Sequence, residues 1–294
     1  MIDGLLVIDK PEGITSHGVV QCVRRWAKQR RVGHLGTLDP LALGVLPLAL
    51  GEATKLSRLL THGKKSYSGS IRLGIETTSY DREGDVIAQC EGPWPEREDV
   101  EKALETFRGE ILQVPPVFSA RKRNGQKAYR LARRGEQLEL EASRVTIERL
   151  DLIDYSPPFV SIDVDCSAGT YLRSLAHDLG ERLGTGAHLW ELCRTRSGPF
   201  TLEQAISLDD LEALGHERMI PMAVATGLPS YEVDARIAHR VACGVQLGRH
   251  EVRGAPPRGL LQLVRQGCLV ALVEAEPGLP ELRTFRVFLE GTKG

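Results

Sequence analysis

The chain has 294 residues, 41% hydrophobic and 26% charged, with a formal charge of -1. That is enough apolar material for a sizeable core and more length than one average domain needs, which excludes a disordered or fibrous chain. It also excludes a globally basic nucleic-acid binder, so any such affinity must come from local clusters of Lys and Arg.

The N-terminal MIDGLLVIDKPEG lacks a charged leader before a long apolar run, and no stretch is long enough to span a bilayer, so a soluble, cytoplasmic protein is expected. Val19, Val20, Val23, Trp26 and Ala27 recur at helical spacing behind Ser16, which suits an N-cap. The stretch RRVGHLGTLDPLALG then predicts a loop, with Gly33, Gly36 and the Asp39-Pro40 pair between two periodic segments. Tyr67, Ile71, Leu73 and Ile75 share one parity and Ser68, Ser70 and Arg72 the other, a strand with Tyr67 facing inward. Val160, Ile162, Val164 and Cys166 alternate with Ser161, Asp163 and Asp165 in a second half-buried strand.

Ala168-Gly169 leads to Thr170 as the expected N-cap of a helix whose buried stripe is Tyr171, Leu172, Leu175, Ala176, Leu179 and Leu183, with Gly184 ending it. A Pro- and Gly-bearing segment from Pro221 to Pro229 puts a boundary near Leu228. Beyond it, the short apolar runs Gln262–Val264, Leu269–Val273 and Phe285–Leu289 predict a small β-rich module. The six cysteines, Cys22, Cys90, Cys166, Cys193, Cys243 and Cys268, have neither zinc-site spacing nor disulfide density and are expected to be reduced thiols.

Three features carry chemistry. Gly33 to Pro40 places an imidazole, a hydroxyl and a carboxylate on a glycine-bearing loop, which suits catalysis, although an Asp-Pro pair also caps turns. Arg173 falls near the third position of its helix, where the macrodipole favours an acid; pointing inward, it needs a buried carboxylate. Arg121, Lys122, Arg123, Lys127, Arg130, Arg133 and Arg134 crowd one stretch with Tyr129 among them, either a solvated surface or a polyanion site.

Five ordered blocks resemble the TruB family of bacterial tRNA pseudouridine-55 synthases: Leu5 to Ser16, Gly33 to Leu48, Lys64 to Gly74, Pro115 to Glu136 and Gly169 to Gly198. The resemblance implies an α+β fold: a mixed, largely antiparallel sheet flanked by helices, followed by a small β-barrel-like PUA-type module. It divides the chain into a catalytic domain, 1–228, with an RNA-binding insertion at about 115–145, and an RNA-binding domain, 229–294.

Residue by residue, Asp39 matches the family's nucleophile, Tyr67 its active-site tyrosine and Arg173 its partner arginine. His34 matches the residue that fills the loop vacated by a flipped base. Leu192 matches an apolar pocket residue, and Lys10 and Pro11 a block that shapes the site. Arg121, Lys122, Arg123, Lys127, Tyr129 and Arg130 belong to the insertion that closes over RNA. The expected substrate is the T arm of tRNA, acted on by a monomer with no metal, cofactor or membrane.

Two other readings stay open at this point. The same blocks could bind or fold tRNA without turnover. Asp163-Val164-Asp165 imitates the paired aspartates of magnesium-dependent phosphotransferases, but both acids lie on the polar face of an alternating strand.

Overall fold

Period-two patterning builds most of the molecule in the computed structural model, which describes residues 2–116, 122–123, 126–127 and 140–288. A nine-stranded sheet uses β1 (Gly4–Lys10), β2 (Val32–His34), β3 (Leu43–Leu50), β4 (Lys65–Leu73), β7 (Gly109–Gln113), β10 (Ser143–Ser156), β11 (Phe159–Cys166), β12 (Ala187–Ser197) and β13 (Phe200–Thr201). Two small hairpins lie off it: β5 (Ile75–Thr77) with β6 (Val86–Gln89), and β8 (Lys122–Arg123) with β9 (Gln126–Lys127). The main path runs β1-β3-β12-β4-β11-β10-β7, with β2 on β3 and β13 on β12. Only β3 and β12 pair in parallel, so the sheet is mixed and largely antiparallel as expected.

Helices α1 (Ser16–Trp26), α2 (Ser57–Thr61), α3 (Arg97–Glu105) and α4 (Leu172–Leu183) accompany the sheet. The expected stripes pack inward: Val19, Val20 and Val23 of α1 and Leu175, Ala176 and Leu179 of α4 join Leu46, Leu48, Ile71 and Leu73 in one core. Each fully buried aliphatic side chain there contributes roughly 1.5–3 kcal/mol. Gly184 does end α4, at φ 69, where a side chain would strain the backbone.

Both expected N-caps shift by one residue. Thr15, not Ser16, caps α1, its hydroxyl accepting from Gly18 N at 2.9 Å. Tyr171, not Thr170, is the N-cap of α4 and offers no side-chain bond, while the Thr170 hydroxyl donates to Ser167 O. Neighbouring hydroxyl residues compete for such positions, and each residue displaced from a cap is held elsewhere.

Short helices α5 (Leu211–Leu214) and α6 (Met222–Ala225) precede a five-stranded sheet of β14 (Ser230–Glu232), β15 (Leu247–Gly248), β16 (Gly259–Arg265), β17 (Cys268–Ala275) and β18 (Glu281–Val287), ordered β14-β16-β17-β18-β15. Helix α7 (Ala235–Ala242) packs on it, capped by the Asp234 carboxylate. The expected runs from Gln262 and Leu269 fall in β16 and β17, whereas Leu289 lies outside the described residues. This sheet has its own core of Leu261, Val270, Val273 and Leu282, and shares a second with the large sheet. There Leu269, Leu272 and Phe288 meet Leu5, Val7, Val45 and Met222. Lys55 closes the seam, donating to Val287 O at 3.0 Å beside the Phe288 ring.

Candidate active site

Asp39 sits on the loop between β2 and β3, and four neighbouring segments fix that loop through its backbone. The buried Ser16 hydroxyl accepts from Leu38 N and donates to Leu38 O, both at 2.8 Å. Lys10 Nζ donates to Pro40 O at 3.1 Å and to Pro11 O at 2.8 Å. Gly13 N donates to Pro40 O. Arg194 Nη1 and Nη2 donate to the carbonyls of Thr37 and Gly36, each at 3.3 Å, and its Nε to Val45 O at 2.8 Å. Lys10 is fully buried, which pushes its ammonium down to about 8 although Asp39 pulls the other way.

Arg173 answers the carboxylate. As the second residue of α4 it projects its guanidinium inward, with Nε 3.0 Å from Asp39 Oδ2. It therefore finds the acid it needs. It also finds another that the sequence did not reveal: Nη1 lies 3.4 Å from Asp81 Oδ2 and donates to Ser79 O at 3.1 Å. Asp81 is buried on the turn between β5 and β6, where the Ser79 hydroxyl and Glu83 N both donate to its Oδ1. Tyr80 beside it adopts φ 62, a left-handed conformation uncommon for a non-glycine residue.

Removal from water pushes the Asp39 carboxyl above its ordinary 3.8, with Asp81 adding to the rise; Arg173 and Lys10 oppose it. The carboxylate keeps 40% side-chain exposure because its one open side faces a cavity, protein surrounding the rest. That cavity is about 240 Å³, room for one flat ring and its sugar. Tyr67, Leu189 and Leu192 are among its lining, and Lys65, Thr170, Tyr171 and Arg194 add polar groups. Tyr67 is buried as strand parity predicts, opposite Val164 on one neighbouring strand and Arg194 on the other. Burial raises its phenol, and Arg194 opposes the rise.

The structure thus brings Asp39, Tyr67, Arg173 and Leu192 to one cavity. Lys10 and Pro11 lie outside the lining; Lys10 holds the Asp39 loop through Pro40 O and is itself held by Pro11 O. His34 lies outside the lining, half-buried on β2 opposite Leu48. Arg121, Tyr129 and Arg130 lie outside the described residues, as do the side chains of Lys122, Arg123 and Lys127. Asp163 and Asp165 face Arg149, which donates to Asp165 Oδ2 at 2.7 Å, and neither lines the cavity. Their environment is that of surface ion-pair partners. Among the described residues, His177, Asp178 and Glu181 are close enough to share a metal ion, but they sit on α4 away from the lining. Ser16, Lys65, Asp81 and Arg194 were not foreseen, since each gains its place through partners distant in sequence.

Residues 24–172 match the N-terminal domain of the TruB family pseudouridylate synthases, and residues 173–220 match the tRNA pseudouridylate synthase B C-terminal domain. The chain is 45% identical to tRNA pseudouridine synthase B of Solibacter usitatus, covering 93% of this chain and 96% of that protein. It is 41% identical to tRNA pseudouridine synthase B of Geobacter sulfurreducens, covering 98% and 100%. Among solved structures, a chain of a Cbf5-Nop10-Gar1 complex superposes with a TM-score of 0.73 at 28% identity, covering 97% of this chain and 84% of that one. A chain of an H/ACA RNP bound to a substrate RNA containing 2'-deoxyuridine gives 0.72 at 26%, with 97% and 84% covered. With most of its length matched by these domains and by relatives of the same extent, the chain belongs to the TruB family of pseudouridylate synthases.

Proposed function

We propose that the protein isomerises uridine 55 in the T arm of tRNA to pseudouridine, with Asp39 as its nucleophile. The observation that carries this reading is a carboxylate fixed at a ring-sized cavity by a buried arginine, with a buried tyrosine in the same lining. A uridine stacked in an RNA loop cannot present C1′ to Asp39, so the nucleotide flips outward at a cost of a few kcal/mol. Leu192 and Tyr67 then offer the base an apolar wall and a ring to stack on. His34, outside the cavity, fills the space the base leaves. Lys10 and Pro11 keep the Asp39 loop in shape.

The reaction breaks N1–C1′ and makes C5–C1′ on the same uracil, so it consumes no external group or redox equivalent. Asp39 serves it by capturing C1′, by adding to C6 or by helping form a glycal, and the Tyr67 hydroxyl is the proposed acceptor of the C5 proton. The chain divides near Leu228 into a catalytic domain, with the basic stretch at about 115–145, and an RNA-binding module. It works as a cytoplasmic monomer; among the described residues no helix is long and apolar enough to cross a membrane.

The test is to incubate pure protein with T-arm RNA, adding nothing else, and to map pseudouridine. Wild-type protein should form it at the single target uridine. Asp39→Asn, isosteric but not anionic, should bind the RNA and form none. A variant with wild-type turnover refutes the mechanism, and RNA binding or folding without any product in wild type would favour the non-catalytic reading.

A further inference from the structure

The cavity is electrically lopsided. Among the described residues Asp39 is the one acid of its lining and is held by Arg173, whereas Lys65 and Arg194, 5% and 1% exposed, add two further positive charges to the same lining. Lys65 Nζ donates to Ser197 Oγ at 2.9 Å, and Arg194 donates to the three carbonyls of the Asp39 loop and β3. Among the described residues neither has a carboxylate within ion-pair distance. Elsewhere in the molecule the buried Glu52 is partnered by Arg31 and Lys55, and the buried Arg173 by Asp39 and Asp81. Two buried cations side by side are costly unless they meet an anion, and the described residues around them provide none.

The chemistry does. We propose that Lys65 and Arg194 are the electrostatic receptor for the negative charge that gathers on the uracil ring as its bond to C1′ breaks. This rests on the reading that the protein isomerises uridine. When N1–C1′ breaks heterolytically, the electron pair stays with uracil, charge spreads to O2 and O4, and the Asp39 carboxylate captures C1′. The ring then turns, C5 attacks C1′ and the C1′–carboxylate bond breaks. C5 gives up its proton and N1 takes one, so the ring ends neutral. Addition of Asp39 to C6 also loads O4 with negative charge, and glycal formation also expels uracil as an anion. The demand for a positive wall is common to all three routes, and fixed charges cost no reorganisation when the charge appears.

Lys65 has a titration that separates this role from a structural one. It is faced by Arg194 and Ser197 of β12, by Cys166 of β11 and by Tyr67 on its own strand. Burial and Arg194 bring its ammonium down to about 8. Cys166, pushed up to about 11 by burial, and Tyr67, also raised, both stay neutral there. Lys10 also titrates near 8, but it lies behind the Asp39 loop rather than in the lining.

The experiment compares Lys65→Met with wild type on T-arm RNA, measuring kcat, RNA affinity, thermal midpoint and the pH profile. The expected result is a fall in kcat of about 100-fold. RNA affinity should be unchanged, and the midpoint equal or higher because an unpaired buried cation is gone. The alkaline limb that wild type shows as Lys65 loses its proton near pH 8 should vanish from the residual activity. Lys65→Gln, which keeps a donor for Ser197, should behave the same way. Wild-type kcat in either variant overturns the proposal, as does a fall in kcat that merely follows a lower midpoint or weaker binding. Wild-type protein that leaves the RNA unmodified refutes the underlying reading instead.

Discussion

Arg173 holds Asp39 at 3.0 Å through Nε and reaches Asp81 at 3.4 Å through Nη1, so one guanidinium bridges the two acids. The bridge depends on a flat, forked cation. Lysine has one nitrogen on a flexible stem and cannot span both acids while also bonding Ser79 O. Arg173→Lys should therefore lower kcat by about 100-fold through loss of alignment alone, with RNA affinity little changed. Single-turnover assays at saturating enzyme will show this; wild-type kinetics would remove Arg173 from the site.

Asp81 acts on Asp39 in two opposing ways. It anchors Arg173, and its negative charge helps raise the Asp39 carboxyl above 3.8. With Asp39 as the proposed nucleophile, turnover needs its carboxylate ionised, so activity should be lost as pH falls through its raised value, and the acid limb of the wild-type profile should lie above pH 3.8. Asp81→Asn should lower the plateau about tenfold, the equivalent of about 1.4 kcal/mol, as Arg173 loses its anchor. At the same time it should move the acid limb to lower pH. A limb that rises in the variant would contradict the geometry.

These two acids also mark how far the sequence reaches. Tyr67 facing inward, the β11 alternation and the Gly184 stop were legible because each depends on local period or one residue's conformational freedom. Arg173 was visible as a cation in a helical first turn, and its need for an acid followed from physics alone. Asp81 was not, because a turn rich in hydroxyls looks the same whether or not its acid points at a distant helix. Arg194 and Lys65 join the site only through the pairing of β12 with β3 and β4, a long-range register that local patterning does not encode. The N-cap shifts have a smaller cause: Thr15 and Ser16 are both able to cap, and Leu38 claims one of them.

The parallel junction of β3 and β12 is tight at Gly44. This residue pairs with Arg194 at φ 95, and a Cβ there would lie 2.4 Å from Arg194 O and 2.9 Å from Cys193 Sγ. Gly44→Ala meets both a left-handed backbone and a backbone clash, and should cost about 2 kcal/mol or more. Because β3 also carries the Val45 carbonyl that seats Arg194, turnover should fall along with the thermal midpoint. Unchanged stability would show that the junction relaxes more readily than its geometry indicates.

The second sheet shares its core with the first, which makes Phe288 a structural residue of both. Its side chain is 0% exposed among Leu269, Leu272 and residues of β1 and β3. Phe288→Ala should destabilise the protein by about 3–5 kcal/mol. Since the seam joins two sheets, denaturant curves followed by probes in each sheet should shift together. Separate transitions, with only the five-stranded sheet weakened, would show that the seam carries little energy.

The last expectation concerns charge and follows from composition alone, for the side chains of Arg121, Lys122 and Arg123 lie outside the described residues. Seven cations crowd residues 121 to 134 in a chain whose net charge is -1. If they meet the T arm, each neutralised phosphate adds roughly 0.7–0.9 to the slope of log affinity against log salt. Replacing Arg121, Lys122 and Arg123 together by Ala should then weaken RNA binding and flatten that slope by about 2, the equivalent of two to three phosphates no longer neutralised. The chemical step is built from groups elsewhere, so kcat at saturating RNA should stay near wild type while KM rises. Titrations from low to moderate salt decide the matter: an unchanged slope with unchanged affinity assigns this run to solvated surface and sends the search for the phosphate-binding cations to another face.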